Sequence, residues 1–139
     1  MKRIFCIIIC LLIPVSACAG FLEDFNDFAV YVYGISPLSC ADPEAVPLLC
    51  GSDAVQVIHS PEQDTITGKD DLQVIAAACC VLRCTDNTGN RIDHYGRILH
   101  AYFMSKSGEA GKEYRATTDS GILIYTKISE HGLIIKLVY

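Results

Sequence analysis

Hydrophobic and polar residues alternate along the last third of the chain in short runs separated by turn residues. Residues 112–118, 122–128 and 133–139 form three such runs, and Gly-containing turns separate them. Alternation with a period of two is typical of strands that bury one face. Residues 54–59 show the same pattern further upstream. The sequence therefore predicts an antiparallel β-meander, and the many Ile, Leu and Val side chains at 133–139 predict that the last strand pairs centrally.

The apolar run at residues 72–84 is compatible with two structures. Its three alanines and the acidic pair Asp70 and Asp71 at its start favour a helix. A short, almost unbroken apolar run is also typical of a buried strand. The polar turn at 85–90, and the long run at 91–104 after it, favour a strand–turn–strand hairpin. We therefore predict strands at 72–84 and 91–104, with a helix as the alternative for the first segment.

The segment before the predicted sheet combines a helix with an irregular loop. Phenylalanines and a valine recur at helical spacing between acidic residues, at positions Phe21, Phe25, Phe28 and Val32. This spacing predicts an amphipathic helix of about three turns that covers one side of the core. Its acidic polar side would be repelled by anionic lipid. Residues 34–53 contain three prolines and two cysteines, which predicts a loop closed by a Cys40–Cys50 bridge.

These elements together define the expected fold class and domain organisation. We predict a mainly β protein with an α+β N-terminus, in which an antiparallel β-meander forms a small sandwich or barrel. The amphipathic helix and the Pro/Cys-rich loop occupy residues 20–53. Residues 54–139 form the β-rich domain, and residues 60–71 are expected to be a turn-rich connection.

The first nineteen residues have the three-part pattern of a secretory signal peptide. Lys2 and Arg3 precede ten apolar residues at 4–13, and Pro14 and a group of small residues follow. Ten residues rise only about 15 Å as a helix, which is half the hydrocarbon thickness of a bilayer. We therefore predict that residues 1–19 are a cleaved export signal and not a membrane span.

The position of the cleavage decides the fate of Cys18. An A-x-A site at residues 17–19 would release a chain that begins at Gly20. Residues 15–18 resemble a bacterial lipobox, which implies acylation of Cys18 and a tether to a membrane. A third cleavage, after Ala17, would leave Cys18 as an N-terminal thiol. The sequence leaves these alternatives open, and Cys18 is the lipidation candidate.

Five cysteines follow the signal, and an exported protein meets an oxidising compartment. The disulfide candidates are Cys40, Cys50, Cys79, Cys80 and Cys84. The number is odd, so one thiol is left over unless Cys18 remains unmodified. On a strand, Cys79 and Cys80 would point to opposite faces and bond different partners. The spacings lack the paired C-x-x-C knuckles of structural zinc sites.

Charge is unevenly distributed along the exported part. From residue 20 onward there are sixteen acidic and nine basic residues, a net charge of −7. Residues 20–71 hold ten acids and one base, whereas residues 72–139 hold six acids and eight bases. No Lys/Arg cluster exists that could neutralise phosphates, so a nucleic-acid partner is not expected.

The sequence offers three candidate metal or catalytic sites, and in each case a structural explanation of the residues is favoured. Residues 86–90 have oxygen ligands at alternating positions, but the glycine is misplaced for an EF-hand and a hairpin turn explains them better. His94 and His100 would lie about 20 Å apart on one strand, too far to share a metal. Cys84 with His94 or His100 could form a nucleophile and base, but disulfide formation is favoured. No catalytic or cofactor motif is present.

The sequence therefore favours an exported, non-enzymatic binding or structural module of the cell envelope, periplasmic or lipid-tethered, with another protein as its partner and no cofactor. The membrane is reached only through a lipid at Cys18. One alternative is a freely secreted, disulfide-stabilised effector or surface ligand that acts on another organism's proteins. A second alternative is a small secreted hydrolase with an unrecognised site.

Overall fold

The computed structural model describes residues 20–86 and 89–139. Three helices are present in this part of the chain: α1 is residues 20–28 continued by the π-helical turn Ala29–Tyr33, α2 is Asp71–Thr85 and α3 is Arg91–Ser107. The strands are β1 (Ser39–Cys40), β2 (Leu48–Gly51), β3 (Val55–His59), β4 (Gln63–Gly68), β5 (Glu113–Thr117), β6 (Leu123–Ser129) and β7 (Gly132–Val138).

All seven strands belong to one antiparallel sheet with the order β1-β2-β3-β4-β7-β6-β5. The mainly β, α+β class is confirmed, and the strands predicted at 54–59, 112–118, 122–128 and 133–139 are present as β3, β5, β6 and β7. β7 pairs with both β4 and β6, so the prediction that the last strand is central is confirmed. The described residues form a single sheet covered by helices, and neither a sandwich nor a barrel is seen among them.

The apolar spacing predicted for helix α1 holds over its first two turns. Phe21 and Phe25 are buried in the core, but Val32 is exposed. The reason is the π-helical turn at Ala29–Tyr33, whose wider winding changes the side-chain register and places Ala29 in the core instead. Gly34 ends the helix in the left-handed conformation with φ of 64°.

The prediction of a strand at 72–84 is wrong, because this segment is helix α2. The Asp70 carboxylate caps the helix by accepting hydrogen bonds from the N–H groups of Leu72 and Gln73. Eight consecutive or nearly consecutive side chains are buried, because α2 contacts the sheet, α3 and the π-helical turn of α1. A helix buried on most sides is apolar nearly all round, and it loses the periodicity that would identify it from sequence.

The prediction of a second hairpin strand at 91–104 is also wrong, because this segment lies in helix α3. Asn90 caps it by accepting a hydrogen bond from Ile92 N–H. The side chains that face the sheet recur at helical spacing, at His94, Ile98, Ala101 and Ser105. A further correction concerns residues 60–71, predicted as a connection, because they contain strand β4.

The hydrophobic core lies between the three helices and one face of the sheet. Strands contribute alternate side chains to it, among them Val57, Ile66, Ile124, Ile135 and Leu137, all at most 1% exposed. α2 packs on β3, β4 and β7, and α3 packs on β5 and β6. The described core begins at Phe21, so a chain that starts at Gly20 retains all of it. No helix of the described residues covers the opposite face of the sheet.

Candidate binding surface

The uncovered side of the sheet, here called the open face, is built by the side chains that alternate with the core residues. The strand register aligns them in rows that cross the sheet, so residues distant in sequence become neighbours. One row runs Leu49, Ile58, Thr65, Lys136, Tyr125 and Arg115. Each of these side chains is exposed or half-buried, whereas their sequence neighbours in the strands are mostly buried. The open face is therefore accessible across its full width.

One half of the open face carries an apolar ridge formed by Val46, Leu49 and Ile58. Their exposed fractions are 73%, 59% and 43%. Leu49 lies directly opposite Ile58 in the β2–β3 ladder. Two shallow depressions, of about 620 and 510 Å³, share Ile58 as a wall. Single exposed aliphatic side chains are ordinary, but a contiguous set with adjoining depressions is typical of an interaction site.

The other half of the open face carries a basic patch formed by Arg115, Lys127 and Lys136. These residues lie on the adjacent strands β5, β6 and β7, within about 10 Å of one another across the sheet. Glu113 is the acidic residue of this half, and its carboxylate is 3.5 Å from Nζ of Lys136. Arg115 and Lys127 form no salt bridge with any of the described residues. The patch is therefore positive on a chain whose exported part has a net charge of −7.

The two edges of the sheet are poorly suited to pairing with another strand. β1 has only two residues and is joined to β2 by the Cys40–Cys50 disulfide. β5 carries the charged side chains Glu113 and Arg115, which oppose edge-to-edge association. A partner would therefore approach the open face and not extend the sheet.

A polar cluster centred on the buried carboxylate of Asp64 lies under one end of the sheet, and its other members are His59 and Tyr139. Asp64 is fully buried. Its Oδ1 is 2.5 Å from Nδ1 of His59, and the phenol of Tyr139 donates a hydrogen bond to Oδ2. Burial, and then the nearby Asp64 carboxylate, raises the pKa of Tyr139. The ring of His59 stacks on Phe21 with 3.8 Å between centroids, so the cluster joins α1 to the sheet.

A second buried polar cluster joins the helices to the β5–β6 turn. Asp86 Oδ2 is 2.7 Å from Nε2 of His94 and accepts a hydrogen bond of 2.5 Å from the hydroxyl of Ser120. Besides these contacts with His94 and Ser120, Asp86 makes a further hydrogen bond or electrostatic interaction. Asp86 and His94 lie near the hairpin turn that the sequence predicts, but the sequence does not predict a contact between them. The contact depends on helix α3, which the sequence prediction missed.

The thiol chemistry considered from sequence is not supported by the site geometry. His94 is buried against Asp86, and His100 is exposed on α3. Burial, followed by the negative charges of Asp24 and Asp64, raises the pKa of Cys84 to about 12. A thiol with so high a pKa is protonated at neutral pH and is a poor nucleophile. Neither histidine forms a hydrogen bond to Cys84 within the described structure.

The five cysteines of the described residues form one bridge and three free thiols. The predicted Cys40–Cys50 disulfide is present and closes the loop before β2. Cys79, Cys80 and Cys84 carry free thiols on α2, so the argument that Cys79 and Cys80 point to opposite faces of a strand is wrong. Burial raises the pKa of Cys79 to about 12 and raises that of Cys80. Cys18 lies outside the described residues.

Within residues 20–86 and 89–139, no group of three or more His, Cys, Asp or Glu side chains is arranged to hold a metal ion. In the same part of the chain, no helix has both the length and the apolar character needed to cross a membrane.

The fold and this surface define a class of small α+β domain, in which helices cover one side of an antiparallel sheet and the other side is open. Comparison of the chain with protein-family models, with curated proteins and with solved structures finds no match.

Proposed function

We propose that the protein is an exported, non-enzymatic binding module and that its open face binds an acidic segment of another protein. The observation that carries the proposal is the combination of the apolar ridge and the basic patch on one uncovered face of an otherwise acidic chain. Apolar contacts supply affinity, whereas complementary charge supplies orientation and a faster encounter.

The chemistry of the partner follows from the order of side chains along the open face. The ridge at β2 and β3 accepts apolar side chains, and the patch at β5 to β7 accepts carboxylates. Arg115 can bind a carboxylate through two parallel hydrogen bonds, and Lys127 acts as a point charge. A peptide segment that runs across the strands, with apolar residues over the ridge and acidic residues over the patch, would contact both halves of the open face.

The proposed setting is the cell envelope, with the protein periplasmic or tethered through an acylated Cys18. Two observations support export: the signal-like pattern of residues 1–19 and the Cys40–Cys50 disulfide, since such bonds persist in oxidising compartments. Mass spectrometry of the mature N-terminus separates the forms. Acylated Cys18 supports the tether, and Gly20 or an unmodified Cys18 supports a released protein.

The binding proposal is tested by titrating the isotope-labelled chain from Gly20 to Tyr139 with synthetic peptides of about 12 residues, which span roughly 40 Å when extended. One peptide alternates Leu with Glu, and its matched control alternates Leu with Lys. We expect the Leu/Glu peptide to shift the NMR signals of β3, β6 and β7 and to bind less tightly as NaCl rises from about 0.05 to 0.5 M.

Variants with equal charge changes locate the binding site. Lys127→Glu is expected to weaken binding about tenfold, equivalent to about 1.4 kcal/mol. Arg91→Glu makes the same change at the start of α3, where an acidic residue is tolerated by the helix dipole, and is expected to leave binding unchanged. Equal binding of both peptides, shifts confined to the helices, or tight binding to anionic vesicles in place of the peptide would overturn the proposal.

A further inference from the structure

Helix α3 carries a second exposed apolar surface, on the side of the molecule opposite the open face. Its members, here called the α3 stripe, are Ile92, Tyr95, Leu99 and Phe103, at successive spacings of three, four and four residues. Ile92 is 81% exposed, Phe103 60% and Tyr95 50%, and Leu99 is half-buried. Residues at these spacings lie along one side of a helix, so the stripe is continuous.

Three of the four side chains of the α3 stripe are exposed in the single chain, and the fourth, Leu99, is half-buried and packs partly against the core. Toward the sheet, α3 presents a different set of side chains, which includes His94, Ile98 and Ser105. At its C-terminal end, Tyr102 donates a hydrogen bond of 2.6 Å to Asp71, which brings the start of α2 alongside. Leu72, at that start, is also exposed, at 78%. The stripe has the spacing of a helix–helix interface, and no other helix of the described residues covers its exposed members Ile92, Tyr95 and Phe103.

We infer that the α3 stripe is a self-association surface, on which α3 of a second copy packs antiparallel through a two-fold axis between Arg97 and Ile98. An antiparallel pairing about this point places Ile92 opposite Phe103 of the second copy. It also places Gly96 opposite Leu99 of the second copy. The axis repeats both contacts, so six large side chains (Ile92, Leu99 and Phe103 of each copy) and two glycines form a self-complementary interface.

Gly96 supports this arrangement. A Cβ atom at this position would meet nothing within 4 Å, so the fold of the single chain does not require glycine. Glycine inside a helix nevertheless lowers helix stability relative to alanine. A close approach of a second helix explains the residue, because the absent side chain leaves space for Leu99 of the second copy.

Charge and area are compatible with a weak dimer. The centre of the stripe, residues 95–96 and 99–100, contains no Lys, Arg, Asp or Glu. Arg97 and Asp93 are already paired with each other at 3.0 Å. The interface would bury on the order of 1,000 Å², close to the lower limit for specific association. Two acidic chains repel one another, so salt is expected to strengthen the dimer, whereas it weakens binding at the open face.

Association through α3 leaves both open faces accessible, because the helices lie between the interface and the sheet. A dimer would therefore present two equal binding surfaces that point away from each other. Two sites on one particle raise the apparent affinity for a partner that displays repeated acidic segments.

Sedimentation equilibrium of the chain from Gly20 to Tyr139 at increasing concentration tests the inference. We expect a monomer–dimer equilibrium with a dissociation constant on the order of 10–100 μM, typical of a small interface, and more dimer at higher salt. Gly96→Gln places a side chain where the second helix approaches, so the dimer should be lost. The same change should raise the melting temperature of the monomer by about 2–4 °C, because glutamine is the better helix former.

Two control variants keep the outcome interpretable. Tyr31→Lys removes an 84% exposed aromatic residue of α1, away from the stripe, and is expected to leave the dimer intact. Ile58→Lys alters the open face and should do the same. A protein that is monomeric up to about 1 mM, a Gly96→Gln variant that dimerises like the parent, or loss of the dimer through Ile58→Lys would overturn the inference.

Discussion

The carboxylate of Asp64 on β4 is fully buried, and its Oδ1 lies 2.5 Å from Nδ1 of His59 on β3. The second oxygen accepts a hydrogen bond from Tyr139, the last residue of the chain. A buried carboxylate needs such partners, because an unpaired charge in the protein interior is strongly unfavourable. The pair thereby joins the β3–β4 hairpin, the C-terminus and, through the stacked ring of Phe21, helix α1.

Replacing Asp64 by Asn should lower the free energy of unfolding by about 2–4 kcal/mol, because it removes the buried negative charge that His59 and Tyr139 contact. Urea denaturation followed by circular dichroism measures the change. Glu62→Gln, in the exposed turn of the same hairpin, is the matched control and should change stability by less than about 0.5 kcal/mol. Equal effects of the two substitutions would contradict the structural role of the cluster.

Gly89 lies against the second buried cluster. A Cβ atom at this position would lie 2.3 Å from both Asp86 Oδ2 and His94 Nε2. Gly89→Ala should therefore separate the pair and destabilise the protein by about 1–3 kcal/mol. Gly96→Ala is the control, because a Cβ there meets nothing and helix propensity improves by about 1 kcal/mol. Thermal melts at low micromolar concentration, where the chain is monomeric, should move in opposite directions for the two variants.

The disulfide should stabilise the edge of the sheet that carries Leu49. Cys40 and Cys50 are ten residues apart, and closing a loop of this length stabilises a fold by roughly 2–3 kcal/mol. The double variant C40S/C50S should lose this amount in urea denaturation. Ser39→Ala, which alters the adjacent residue of β1, should be close to neutral. Loss of less than about 0.5 kcal/mol in the double variant would show that the bridge does not hold β1 in place.

Alkaline pH should destabilise the protein through the thiols of α2. Burial raises the pKa of Cys79 from 9.0 to about 12, so the folded state keeps a proton that the unfolded state loses above pH 9. Stability is therefore full below pH 9 and falls between pH 9 and 12, by about 1.4 kcal/mol per pH unit for this thiol. Urea midpoints measured over this range should fall less steeply for Cys79→Ala than for the parent. Parallel curves would contradict the prediction.

The strands that alternate cleanly could be predicted from sequence, and the buried helices could not. β5, β6 and β7 bury one face, so their period of two is visible. α2 is surrounded by protein, and its nearly continuous apolar run hides the helical period, although Asp70 gave the correct capping signal. In α3, the buried positions Ile98 and Ala101 are helically spaced, but the aromatic residues Tyr95, Tyr102 and Phe103 are also typical of strands.

The candidate binding surface could not be predicted because it depends on the register between distant strands. Ile58 and Lys136 share one row only because β4 pairs with both β3 and β7. β4 itself was missed, since Asp64 occupies an inward position where an apolar side chain is expected. Its pairing with His59 compensates for the buried charge, and sequence alone does not reveal that contact.

Export is the central claim, because an oxidising compartment is needed for the bridge that fixes β1 beside the apolar ridge. The direct measurement is the intact mass of the native protein, isolated with its thiols blocked and then mapped by peptide analysis. We predict a chain that begins at Cys18 or Gly20, contains a Cys40–Cys50 bridge and has thiols at Cys79, Cys80 and Cys84. A chain that retains Met1, with Cys40 and Cys50 both blocked as free thiols, would contradict the central claim.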